Sequence, residues 1–184
     1  MAASPNARVV ILNGPPAVGK TTVARALAAG SPNGVCIEGS PLVGFVRTRT
    51  DETTSPRRLA CSAAAQLAGL YLDAGYELVV FEHLLLNNEQ LWHFLDSYQG
   101  RAPVHLLCLW APLAVVERRD QARPAPERFG QRLRSAWNLL HSCGEQVGER
   151  VDATGTPAKA LAAVADRLAR DGGLVLSPRW QAGA

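Results

Sequence analysis

Gly14, Gly19, Lys20 and Thr21 follow the spacing G-x-x-x-x-G-K-T, with Pro15, Pro16, Ala17 and Val18 between the glycines. This is the spacing of a phosphate-binding loop. Glycine tolerates positive φ and lets the backbone approach a ligand, so it suits both ends of a tight turn. A helix starting at about Lys20 leaves its first N–H groups, through Thr22, without intrahelical partners. Those donors and the helix dipole make a socket for an anion. In such a socket the Lys20 ammonium can reach the β- and γ-phosphates, and the Thr21 hydroxyl can ligate Mg²⁺. The chain holds 17 arginines but only two lysines, Lys20 and Lys159. A lysine at the motif position is therefore not a reflection of background composition. The plain alternative is a glycine-rich turn that binds nothing.

Acids and arginines elsewhere have the chemistry to act on a bound phosphate. Glu38 follows a short apolar run, where a carboxylate can take the proton of an attacking hydroxyl or bind Mg²⁺ through water. It can equally cap the next helix or be a solvated loop acid. Glu82 ends Val79-Val80-Phe81 in the arrangement of a Walker B motif. It can serve Mg²⁺ from the second shell, touch the acceptor, or pair with a helix arginine. Strand alternation points His83 away from Glu82 and makes it a packed or solvated residue. Arg119 and Arg123 are four apart and share a helix face. With Arg128, beyond the break at Pro124-Ala125-Pro126, they read as a mobile flap. It would close on the transferring group, exclude water and neutralise charge. Glu117 and Asp120 are interspersed among them, so a solvated helix face is the alternative. Arg47 and Arg49 can grip an anionic group on the acceptor or be loop charges. Thr154 and Gly155 can border a nucleotide base through backbone contacts. Trp92, Trp137, Tyr71 and Tyr76 can line an acceptor pocket, although packing is the commoner fate of such residues. His93, His105 and His141 fall outside the crevice on this reading.

These residues need elements to hold them. Val9–Leu12, Val35–Ile37, Glu77–Phe81, Val104–Trp110 and Glu149–Asp152 read as strands. Helices are expected over 21–29, 57–74, 87–97, 113–122, 127–143 and 157–170, with Pro112 in the first turn of the fourth. In 57–74, Leu59, Ala63, Leu67, Leu70 and Ala74 recur at helical spacing. Residues 39–56 look loop-rich, and 172–184 form a tail with no assignment. Alternating strands and helices imply a parallel sheet covered on both faces. Ligands of such sheets bind beyond the carboxyl ends of the strands. Gly14, Glu38, Glu82 and the segment after Trp110 should therefore converge on one crevice.

The 184 residues suit one domain, with its core at about 8–170 and a lid at about 113–130. A formal charge of +3 without a block of like charges gives no footprint for nucleic acid. No apolar run reaches membrane-spanning length. No signal peptide is read before the first strand, so the expected compartment is the cytoplasm. Cys36, Cys61, Cys108 and Cys143 are far apart and read as buried free thiols. An oligomer has no support in the sequence.

The stretch Val9–Thr21 resembles the small P-loop kinases, most closely the chloramphenicol phosphotransferase-like group. Glu38 matches the position of that family's catalytic aspartate. Val79-Val80-Phe81-Glu82 matches its strand ending in aspartate. Glu117, Arg119, Arg123 and Arg128 follow its lid spacing. The resemblance covers about residues 8–170. It implies an α/β, three-layer P-loop kinase fold with a five-stranded parallel sheet and an arginine-bearing lid. It also implies ATP with Mg²⁺, and transfer of the γ-phosphoryl to a hydroxyl of an antibiotic. Metabolic nucleoside, nucleotide or sugar kinases and non-catalytic nucleotide-binding regulators are the alternatives. Glutamate in place of aspartate at residue 38, and a dissimilar 39–56 segment, are the departures.

Overall fold

The computed structural model describes residues 6–47, 55–144, 148–155, 158–170 and 175–176. Arg49, Asp51, Glu52, Pro157 and most of the tail lie outside the described residues. Five parallel strands, β1 (Arg8–Asn13), β2 (Gly34–Glu38), β3 (Leu78–Glu82), β4 (Val104–Trp110) and β5 (Glu149–Asp152), take the spatial order β2-β3-β1-β4-β5. A two-residue piece of the tail, β6 (Val175–Leu176), pairs antiparallel with Val104 and His105. Among the described residues the strands are joined by seven α-helices: α1 (Lys20–Ala29), α2 (Gly39–Gly44), α3 (Pro56–Asp73), α4 (Asn88–Ser97), α5 (Leu113–Gln121), α6 (Gln131–Ser142) and α7 (Ala158–Arg170).

β1 runs through the middle of the sheet, and Val9, Val10, Ile11 and Leu12 have no exposed surface. Successive side chains point to opposite faces, which divides the core into two layers. Val10 and Leu12 share a cluster with Val23 and Leu27 of α1 and Leu161 of α7. Val9 and Ile11 share another with Ala64 and Ala68 of α3 and Phe94 of α4. Both faces are covered, so the strand is apolar throughout.

Some expectations shift. α3 has the expected extent, but its buried face is Ala60, Cys61, Ala64, Ala65 and Ala68. Leu59 and Leu70 are left 48% and 66% exposed. The small residues allow close approach to the sheet and α4, which the larger leucines would prevent. The 39–56 segment begins with a helix, α2, where a loop was expected. α5 stops at Gln121, and a 3₁₀ turn at Ala125–Glu127 precedes α6. Arg123 thus lies beyond the helix that carries Arg119, and the shared helix face is lost. Pro112 is the cap of α5 and not its first helical residue.

The end of β1 is fixed by a side chain. Asn13 Oδ1 accepts from the backbone N–H of Gly14 at 2.7 Å and of Leu85 at 3.0 Å, while Nδ2 donates to the Leu85 carbonyl at 3.1 Å. The loop after β1 and the loop after β3 are thereby joined. Among the described residues no helix is long and apolar enough to cross a membrane.

Candidate active site

The turn after β1 is shaped by close approach. Gly14 has φ 143°, and a Cβ there would lie 2.5 Å from the Leu109 carbonyl oxygen. Gly19 has φ 107°, and Ala17, without glycine's freedom, is held at φ 60°. Left-handed backbone at a residue with a side chain persists only when its surroundings impose it, and Ala17 is buried. α1 begins at Lys20, as the anion-socket reading requires.

Lys20 Nζ donates to the carbonyls of Gly14 at 2.9 Å and Pro15 at 3.1 Å. Burial lowers its pKa to about 8, against the opposing attraction of Glu82. The Thr21 hydroxyl donates to Glu82 Oε1 at 3.2 Å. Glu82 is itself buried at the end of β3. Desolvation raises its pKa, and Lys20 and Thr21 oppose the rise. Its neighbours in register are Leu12 on β1 and Glu38 on β2.

A cavity of about 250 Å³ opens over this group, lined in part by Lys20, Thr21, Glu82, Ser40, Arg57 and Arg123. A second, of about 180 Å³, lies on the other side of Gly19 and Thr22 and is walled by Val18, Arg119, Ala153 and Leu161. Arg119 donates to Val18 O at 3.1 Å, Ala153 O at 2.8 Å and Thr154 O at 3.1 Å. It ties α5 to the phosphate-type loop and to the turn after β5, beside exposed Gly155. A larger groove of about 570 Å³ between α1 and α7 is remote from Gly14–Thr21. The charged residues in it, Asp166 and Arg170, pair with each other.

The donors fit the groups that the sequence implies. Loop amides and Lys20 suit a triphosphate, and the paired oxygens of Thr21 and Glu82 suit Mg²⁺, which prefers hard oxygen ligands.

The predicted lid residues separate into distinct roles. Arg123 lines the first cavity with its guanidinium 5.2 Å from the Phe129 ring centroid. Arg128 is exposed and donates to the Arg123 carbonyl at 2.9 Å. Glu117 of α5 pairs with Arg134 of α6. Asp120, buried at the end of α5, accepts from the N–H groups of Phe129 and Gly130 at 3.0 Å each. That carboxylate closes the loop carrying Arg123.

Glu38 stands at the expected strand end, but its carboxylate is held by Arg25 at 2.7 Å to Nε and 2.6 Å to Nη2, outside the first cavity's lining. Arg47 is exposed and lines neither cavity. Trp92, Tyr71 and Tyr76 are also on the surface, and Trp137 stacks on His141. His83 keeps its expected direction and is packed, its ring stacked on Phe81 two residues back, yet the residue borders the same cavity as Glu82. The His83 N–H donates to the Leu12 carbonyl at 3.2 Å, so the pairing with β1, and with it the alternation, carries on one residue past Glu82. Burial, with the Arg57 and Lys20 charges, lowers the His83 pKa to about 4. Ser40, Arg57 and Phe129 were not anticipated. Arg57 follows Ser55-Pro56, a helix start, and helix starts face the crevice in this topology; that was the available signal.

No curated protein sequence matches the chain. Among solved structures, the tunicamycin resistance protein of Deinococcus radiodurans is similar at TM-score 0.66 and 18% identity, covering 94% of this chain and 100% of that one. A sugar kinase from Janibacter sp. HTCC2649 also gives TM-score 0.66, at 19% identity over 86% of this chain and 92% of that one. A shikimate kinase from Acinetobacter baumannii gives 0.57, at 20% identity over 91% and 96%. These likenesses establish the fold as that of the P-loop kinases. The family model of an AAA domain, AAA_33, matches residues 9–140. With that match and the loop geometry in place, the chain belongs to the AAA_33 family of AAA domains.

Proposed function

We propose that the protein is an ATP-dependent phosphotransferase that moves the γ-phosphoryl group to a hydroxyl of a small molecule, an antibiotic in the first instance. The observation that carries this reading is the convergence of Lys20, Thr21, Glu82 and Arg123 around one cavity at the mouth of the loop. The likeness to a tunicamycin resistance protein favours an antibiotic. The likeness to sugar and shikimate kinases supports the second reading, a metabolic kinase.

In the proposed mechanism the Gly14–Thr22 loop holds the triphosphate through the N–H groups of Ala17 and of Gly19 to Thr22 and through the Lys20 ammonium. Thr21, backed by Glu82, would hold Mg²⁺, which when bound neutralises charge on the transferring group. Arg119 and the Ala153–Gly155 turn border the base, and Arg123 approaches the phosphoryl from the lid. Glu38 is the proposed base for the acceptor hydroxyl, released from Arg25 when the acceptor enters. Arg47 and Arg128 would meet the acceptor from outside. The proposed partners are this acceptor and the nucleotide, with no nucleic acid or membrane.

The direct test is transfer of label from γ-labelled ATP across hydroxylated antibiotics, sugars and nucleosides. A labelled product supports the enzyme. ATP bound tightly with no transfer supports a nucleotide-binding regulator instead. General-base catalysis contributes about 10²–10⁴-fold, so Glu38→Gln should lower turnover by that order with ATP affinity intact. Near-normal turnover would move the base elsewhere.

A further inference from the structure

His83 carries a buried polar atom that the proposed mechanism leaves unused. The residue is 4% exposed. Its Nε2 is buried and has no hydrogen-bond partner among the described residues. Buried polar groups are normally satisfied, and an exception calls for a cause. The ring is fixed from two sides. Its plane stacks on Phe81, centroids 5.7 Å apart at 22°. Its Nδ1 lies against Gly39, where a Cβ would approach to 2.3 Å. The residue lines the cavity that also holds Glu82, Ser40, Arg57 and Arg123. An imidazole with one unmet nitrogen thus stands in the wall of the reactant space, its Nε2 closed to water and open to a ligand only when a neighbouring side chain moves aside.

We propose that His83 is a specificity-determining contact whose Nε2 hydrogen-bonds a hydroxyl of the acceptor. This rests on the phosphotransferase reading and extends it. An imidazole nitrogen can donate or accept according to tautomer, so it suits a hydroxyl, which does both. A site built around such a bond rejects an acceptor that lacks the hydroxyl, because the nitrogen then stays unpaired. Leu84 and Phe129 line the same cavity. The acceptor class is therefore a hydroxylated molecule with an apolar side.

The test uses the full chain, its His83→Leu variant, and tunicamycin, gluconate and shikimate as probes. Contact is read first, without turnover, from the ¹⁵N shift of His83 Nε2 as each probe is titrated into the Mg-ADP complex. A shift with at least one probe is expected; none with any of the three overturns the proposal. A shift without label transfer keeps the contact and removes the phosphotransferase reading, so the two failures are distinguishable. The second arm compares the variant with the unaltered chain. His83→Leu removes an unpaired nitrogen, so its Tm should be equal or higher. It should weaken binding of the probe that shifts Nε2 at least tenfold and leave Mg-ATP affinity within twofold. A lowered Tm with probe binding unchanged would make His83 a packing residue and overturn the assignment.

Discussion

Replacing Asp120 with asparagine should loosen the proposed lid without disturbing the Gly14–Thr21 loop. Asp120 is the buried acceptor for the amides of Phe129 and Gly130. A hydrogen bond to a charged acceptor is worth about 1.5–3 kcal/mol. Phe129 and Gly130 are exposed, so water can replace part of what is lost, and the lower figure applies to each. Asparagine keeps one acceptor oxygen and sets an NH₂ group against the other amide. The expected loss is about 1.5 kcal/mol, or roughly tenfold in lid opening. Alanine removes both acceptors, for about 3 kcal/mol and on the order of a hundredfold. The loop opens locally, so hydrogen exchange at Phe129 and Gly130 is the assay and not the global melting curve. Both amides should exchange faster by those factors, while Val23 and Ala24 in α1 keep their protection. Turnover should fall because Arg123 is no longer held over the cavity, and ATP affinity should change less than twofold. Unchanged exchange at Phe129 and Gly130 in Asp120→Ala would refute the role given to this carboxylate.

Other outcomes follow from the same geometry. Lys20 has a pKa of about 8, and a triphosphate beside it would raise that value, so binding takes up a proton at higher pH. Nucleotide affinity should be constant below pH 8 and fall above it, approaching about tenfold per pH unit; titration calorimetry across pH 7–9.5 measures it, and Lys20→Arg should flatten the fall. Arg119→Ala loses three hydrogen bonds to carbonyls, so ATP dissociation should rise about tenfold or more, checked by equilibrium binding. Gly39→Ala puts a Cβ into the His83 ring; overpacking of this kind costs about 1–3 kcal/mol, and a thermal melt should show the loss.

Much of the fold was legible because its signals are local. The run Val9–Leu12 ends in the glycine-framed loop, three more apolar runs reappear as β2–β4 within a residue or two, and the mostly charged Glu149–Asp152 stretch reappears as β5. What failed depended on neighbours far away in sequence. The choice of the alanine face of α3 over the leucine face is made by the space beside α4 and the sheet, which periodicity does not encode. The two-residue period gave the direction of His83 but not its place beside the cavity, whose wall is completed there by Ser40, Arg57 and Phe129 from distant elements. Lys20, Thr21 and Glu82 could be brought together from strand-end logic alone. The grip of Arg25 on Glu38 could not, because it joins residues 13 apart on different elements, and arginine is abundant enough in this chain that no one partner stood out.

The amide of Asn13 has a consequence for alignment. One side chain serves as the common datum for the start of the nucleotide loop and for Leu85, two residues past His83. If the sheet flexes, both banks of the cleft are carried together, and under the proposed transfer the gap between donor and acceptor is held. Substitution of Asn13 would therefore appear less as lost affinity for either reactant than as a mismatch between two sites that each still work.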